Sequence, residues 1–171
     1  LLSFLSILNK IEEAMKSQVL TFAIIILIGS NALCQNKINQ KNKNMKLNAG
    51  IITNKLQESK KFYTNVLNFG VSFENEFYLL LHTPDKKFEL SFLLPNHPTQ
   101  QRLFQNAFNG DGMYLTLEVD DVDQLYQTIK TRNVPIKIEL RNEPWGDRHF
   151  AIQDPNGVGI DVVTYAADRK E

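Results

Sequence analysis

Cysteine is almost absent from this 171-residue chain: Cys34 stands alone, which excludes an internal disulfide and, with only three histidines, a zinc finger or an iron–sulfur cage. Net charge is absent too. Nineteen basic residues balance nineteen acidic ones, so no field draws the protein toward phosphate backbones or anionic lipid, and nucleic acid is not an expected partner. Nor is there an apolar run of the roughly 20 residues that cross a bilayer as a helix. The longest, Val19 to Gly29, falls well short, so no permanent membrane anchor is expected. Eight glycines and six prolines rule out a collagenous chain. What is present is 43% hydrophobic and 22% charged residues, the composition of one compact domain rather than of a disordered chain.

The N-terminal region differs from the rest. Residues 1–14 precede the first methionine and read as a possible upstream extension. From Met15 a lysine is followed by the short apolar run and then by Ser30-Asn-Ala-Leu-Cys-Gln35, the order of a secretory signal peptide spanning residues 15–35. Cleavage is expected near Cys34/Gln35. A lipoprotein signal is less expected, because it wants a small residue before the cysteine and Leu33 is large. Residues 36–45, a run of amides and lysines with one isoleucine, bury too little apolar surface to offset their ordering entropy and read as a flexible linker. The protein is therefore expected to be exported, periplasmic or extracellular; translation starting at Met45 would leave it in the cytoplasm.

From Lys46 to Ala166 one plan occurs twice. Leu47 to Thr53 predicts a strand, Asn54 opens an amphipathic stretch through Leu56, Phe62, Tyr63 and Leu67, and strands follow at Gly70 to Glu74, Phe77 to Thr83 and Lys87 to Leu94. The second copy has a strand from Met113 to Val119 and a helix capped by Asp121, with Gln124 at the reciprocal position. Its remaining strands run from Pro135 to Leu140, Arg148 to Gln153 and Gly159 to Tyr165. The turn Asp154-Pro-Asn-Gly157 joins the last two, and Pro95 to Asp111 links the halves. Superposing the helix starts sets Leu56 over Val122 and Asn48 over Tyr114. The expected fold is α+β: two βαβββ modules, neither with an adequate core alone, forming one curved-sheet domain over residues 46–166, with residues 167–171 as a tail.

Strand residues alternate between two faces. Phe88, Leu90 and Phe92, Met113, Leu115 and Leu117, and Ile160 and Val162 must pack on the helices. The opposite face carries Asn48, Glu89 and Ser91 from the first module and Tyr114, Thr116, Glu118, Asp161 and Tyr165 from the second. Half-buried sheets often have one merely wet face. Aromatic walls with a few convergent polar groups are, however, what a small-molecule pocket in a concave cleft needs.

These residues resemble the vicinal oxygen chelate superfamily, which holds the glyoxalases, bleomycin-resistance proteins and extradiol dioxygenases. The resemblance lies in Phe62-Tyr-Thr-Asn-Val-Leu-Asn-Phe-Gly70, in Glu118-Val-Asp-Asp-Val122, and in Pro144-Trp-Gly-Asp-Arg-His-Phe-Ala-Ile-Gln-Asp-Pro-Asn-Gly157, and it covers Lys46 to Tyr165. Metal-dependent members take four ligands from the concave face, and the matching positions here are Asn48, Glu89, Tyr114 and Asp161, of which only Glu89 keeps the family's residue. An amide oxygen is a weak ligand and a phenol must shed a proton of pKa near 10. Nickel and zinc favour imidazole and thiolate, while carboxylates and an amide suit a weakly held calcium or magnesium, so no tight transition-metal cofactor is expected. The two-histidine, one-carboxylate iron site of an extradiol dioxygenase is not available.

The first expectation is accordingly a protein that binds a small organic molecule, with Glu89 and Asp161 offering charge and Tyr114, Trp145 and Tyr165 flat walls. Arg148 is either a ligand contact or the structural partner of Asp147 or Asp161, and His149 contributes only if its strand turns it inward. A metal-dependent lyase or isomerase of glyoxalase type, with Glu89 or Asp161 as general base, is the alternative, and a structural or interaction module a third. The resemblance also implies a homodimer.

Overall fold

The structure is a computed structural model that describes residues Met45 to Ala166. The chain divides into two units, residues 1–47 and 48–171. Of the first only Met45 to Leu47 are described, exposed and without regular structure. The expected upstream extension, signal peptide and terminal tail, and all of the linker but Met45, lie outside the described residues.

The second unit runs β1 (Ala49–Ile52), α1 (Leu56–Leu67), β2 (Gly70–Glu74), β3 (Tyr78–His82) and β4 (Glu89–Leu93). A single turn of 3-10 helix, Arg102–Phe104, follows, and then β5 (Tyr114–Glu118), α2 (Val122–Thr131), β6 (Ile136–Asn142), β7 (Arg148–Gln153) and β8 (Gly159–Thr164). The sheets have the orders β1-β4-β3-β2 and β5-β8-β7-β6. In each, the strand before the helix pairs parallel with the last strand and the remaining pairs are antiparallel. This is the α+β plan of two βαβββ modules forming a curved sheet. A parallel neighbour requires a crossover connection, and α1 and α2 begin those crossovers in their modules.

The helices start and stop for local reasons. The Asp121 side chain accepts the Gln124 N–H at 2.9 Å and caps α2, as its sequence predicts. At α1 the expected start at Asn54 moves one residue: Lys55 is the N-cap and has no side-chain cap bond, while Thr53 Oγ1 accepts the Lys55 N–H at 3.0 Å. Asn68 ends α1 in the left-handed region, φ 57°, where an amide side chain is tolerated, and the Phe69 N–H returns to the Tyr63 carbonyl.

One apolar face of each sheet meets its own helix. Leu79, Leu81, Leu90 and Phe92 pack with Tyr63, Val66 and Leu67 of α1, while Phe150, Ile152, Ile160 and Val162 pack with Val122, Tyr126 and Ile129 of α2. The exception is Phe88, expected on this face but placed just outside β4 and exposed.

The modules are joined by the turn between β7 and β8. Asp154 is buried, and its carboxylate accepts the N–H groups of Asn156 and Val158 at 2.8 and 2.9 Å and the Tyr63 hydroxyl of α1 at 3.1 Å. Burial first, and the Asp154 charge second, push the Tyr63 phenol far above its ordinary pKa, so it stays a donor. The Asn156 side chain accepts from Thr53 Oγ1 at 2.7 Å and donates to Ser59 Oγ at 2.9 Å. Gly157 closes the turn at φ 90°, a conformation that favours glycine.

Candidate functional site

Register fixes which side chains share the face away from the helices. In the first sheet β1 runs alongside β4 with Ala49 opposite Leu90 and Gly50 opposite Ser91. The Asn48 amide, just before β1, donates to Glu89 Oε2 at 3.1 Å, and Ser72 of β2 lies 3.5 Å from Glu89 Oε1. Ser91 donates to the Ala49 carbonyl at 3.3 Å. Asn48, Glu89 and Ser91 are therefore brought together on the first module.

In the second sheet Tyr114 is opposite Gly159 and Thr116 opposite Asp161. Tyr114 and Thr116 are exposed, the tyrosine 72% so, while Asp161 and Tyr165 are half-buried. Trp145, in the turn between β6 and β7, is 60% exposed. Asn48 lies as far before Leu56 as Tyr114 lies before Val122, so the two registers superpose. In that common frame Asp161 takes the place of Ser91, and Gly159 that of Glu89. The two carboxylates stand on equivalent strands but are offset by two residues, about 6.6 Å at the usual strand rise.

Each carboxylate has its own partner. Asp161 Oδ1 lies 2.6 Å from His149 Nδ1, and the opposite ring nitrogen, Nε2, is 2.8 Å from Glu143 Oε1. Arg141 adds a second cation to Glu143, with Nε at 2.7 Å. Burial works to lower the His149 pKa, but the bonds and charges of Asp161 and Glu143 outweigh it and raise the imidazole above its ordinary value. The His149 hydrogen bond in turn holds Glu143 below the usual carboxylate range, against the effect of burial and with help from Arg141. His149 thus does face the Asp161 side of its sheet. Glu143, at the end of the hairpin, is the member of this group that sequence reasoning did not single out.

Arg148, next to His149 along β7, goes the other way. Its guanidinium grips Asp123 of α2 with two bonds of 2.7 Å and reaches Asn142 Oδ1 at 2.9 Å. That arrangement holds Asp123 below the usual carboxylate range. The period of two explains it: adjacent residues of a strand point to opposite faces.

The quartet of family ligand positions does not suit a transition metal. Asn48 presents its amide to Glu89, Tyr114 is a phenol, and Asp161 shares one oxygen with an imidazole. Among the described residues no group of three or more His, Cys, Asp or Glu is arranged to hold an ion.

Paired βαβββ modules, each with a helix on one face and polar groups on the other, define a class of protein built to present a double sheet face. The sequence model of the glyoxalase/bleomycin resistance protein/dioxygenase superfamily matches residues 47–162, and the chain belongs to that family. Among solved structures, a bleomycin-binding protein complexed with bleomycin is 18% identical with a TM-score of 0.54, over 72% of this chain and 100% of that one. TnmS3, an antibiotic-binding protein from Streptomyces sp. CB03234, is 20% identical with a TM-score of 0.58, over 72% and 98%. The lactoylglutathione lyase of Agrobacterium tumefaciens is 16% identical with a TM-score of 0.58, over 70% and 92%. At these identities the likeness is one of fold. None of the curated proteins compared with the chain matches it.

Proposed function

We propose that this protein binds a small organic molecule against the polar faces of its sheets, without a tightly held transition metal and without chemistry. The observation that carries the reading is the make-up of those faces. They combine an exposed aromatic, Tyr114, with anchored polar groups, Asn48–Glu89 on one module and His149–Asp161 on the other, and Trp145 stands exposed in the turn between β6 and β7. Preplaced polar groups beside flat apolar walls are how a site fixes the orientation of a drug-sized guest. The bleomycin-binding and antibiotic-binding proteins of the same fold support the reading. In this proposal Ser91, Thr116 and Tyr165 complete the contacts, Arg148 braces β7 against α2, and two copies of the chain assemble as a homodimer outside the cytoplasm.

The test is a thermal-shift screen of the purified chain against drug-sized aromatic and basic compounds, metal-free bleomycin included, followed by calorimetry. A guest at 100 times its Kd should stabilise the fold by about 2.7 kcal/mol, and Glu89→Gln or Tyr114→Ala should weaken its binding. Sub-micromolar affinity for nickel, zinc or manganese would overturn the metal-free reading. Hemithioacetal turnover lost on Glu89→Gln would replace the binding protein by an enzyme.

A further inference from the structure

The sequence holds two Asn-Gly dipeptides, Asn109–Gly110 in the linker between the modules and Asn156–Gly157 in the turn between β7 and β8. The fold sets them against each other: a Cβ on Gly157 would lie 3.2 Å from Gly110 Cα, and one on Gly110 would lie 3.5 Å from the Asn156 carbonyl oxygen. The same dipeptide is held differently in the two places. The Asn156 side chain donates to Ser59 Oγ and Asp154 Oδ2, both at 2.9 Å, and accepts from Thr53 Oγ1 at 2.7 Å. The Gly157 N–H is engaged too, donating to the Asp154 carbonyl at 3.1 Å. Asn109 is exposed, and its Oδ1 accepts the Asp111 N–H at 3.3 Å. Among the described residues neither Asn109 Nδ2 nor the Gly110 N–H donates to any group.

We propose that Asn109–Gly110 is a site of spontaneous covalent modification, at which the asparagine side chain cyclises onto its own backbone, while Asn156–Gly157 is protected by its bonds. The Gly110 nitrogen attacks Asn109 Cγ. A bond forms between those two atoms, the Cγ–Nδ2 bond breaks, and the Gly110 amide proton leaves with Nδ2 as ammonia. Glycine has no Cβ to screen its nitrogen. The Asp111 N–H on Oδ1 stabilises the negative charge that develops on that oxygen during the attack, and the exposed Nδ2 departs directly into water. Water then opens the cyclic imide at one of its two carbonyls. Opening at Cγ gives aspartate on an unchanged backbone. Opening at the main-chain carbonyl gives isoaspartate, whose backbone runs through Cβ and is longer by a methylene. At Asn156 the same attack requires the Gly157 N–H to leave Asp154 and the side chain to leave Ser59, Asp154 and Thr53, so it waits for a local opening of the turn.

The longer backbone acts on the joint between the modules. On one side of Asn109, Phe108 donates its N–H to the Ile52 carbonyl of β1 at 2.8 Å and packs against the core. On the other side, Gly110 rests on Gly157. An extra methylene between two fixed points displaces one of them, and isoaspartate at position 109 therefore loosens the linker from the β7–β8 turn.

The test ages the full chain at neutral pH, folded and in guanidinium chloride, and follows by peptide mass spectrometry the exchange of amino group for hydroxyl at each asparagine. In the folded chain Asn109 should react at least about tenfold faster than Asn156, which reacts only from an opened turn. In guanidinium chloride the two rates should draw together, because the dipeptides are the same. The isoaspartate form, separated by chromatography, should unfold at a lower urea concentration than Asn109→Asp, which has the unaltered backbone. The proposal is overturned if Asn156 reacts as fast as Asn109 in the folded chain, or if Asn109 keeps its amide there while losing it in guanidinium chloride. Equal urea midpoints for the isoaspartate form and Asn109→Asp would overturn it as well. No guest takes part, so failure here is independent of failure of the binding proposal.

Discussion

Replacing Asp154 by alanine should be among the most damaging substitutions in the chain, because this one carboxylate serves both modules. It is 5% exposed and accepts from the Asn156 and Val158 N–H groups, the Asn156 amide and the Tyr63 hydroxyl, at 2.8 to 3.1 Å. Truncation leaves those donors without an acceptor. Val158 and Tyr63 are fully buried, so their two donors have least access to water. At roughly 1–3 kcal/mol for each buried donor left unpaired, those two alone imply a loss of about 2–6 kcal/mol. Tyr63→Phe removes only one member and should cost about 1–2 kcal/mol. The two changes share a bond, so the double mutant should be less destabilised than the sum by about 1 kcal/mol. Urea unfolding followed by circular dichroism measures all three, and the m value should stay constant. Because Asn156 also bonds Thr53 and Ser59 of the first module, unfolding should remain a single transition. A loss below 1 kcal/mol for Asp154→Ala, or strict additivity with Tyr63→Phe, would refute the reasoning.

Other outcomes test separate parts of the structure. Ile129→Ala, at a fully buried position of α2, should cost about 2–5 kcal/mol in the same unfolding assay. Asp121→Ala removes the cap of α2 and should cost about 1 kcal/mol, with Asp121→Ser nearly neutral. A Cβ on Gly70 would lie 2.3 Å from the far end of the His82 ring, which can turn aside, so Gly70→Ala should cost no more than about 1 kcal/mol and recover that in a His82→Ala background. Light scattering of the purified chain should give the mass of two copies; a monomer at micromolar concentration would remove the proposed homodimer.

Most of the fold was legible because its determinants are local. Gly70 to Glu74 and Arg148 to Gln153 form strands with the very bounds that their branched and aromatic residues indicate. The Asp121 cap and the Asp154-Pro-Asn-Gly157 turn are short motifs whose bonds close within a few residues. The site was less legible because its bonds cross strands. His149 meets Glu143 over a hairpin and Asp161 over a neighbouring strand, and nothing in the sequence near His149 states that register. β6 also shifts register between Ile136 and Ile138 and again between Ile138 and Arg141. Counting in twos along that strand fails to place Glu143.

The same register argument separates what the two modules share from what each does. Superposing β1 on β5 and β4 on β8 pairs buried with buried: Leu90 with Ile160 and Phe92 with Val162. On the opposite face the pairs are Ser91 with Asp161, Glu89 with Gly159 and, through the antiparallel neighbours Leu93 and Val163, Tyr78 with His149. The helix-facing positions are held alike by packing, which accepts any apolar side chain of fitting volume. The other face is free of that demand and has two different chemistries: a carboxylate bound by a neutral amide on the first module, and a carboxylate bound by an imidazole on the second.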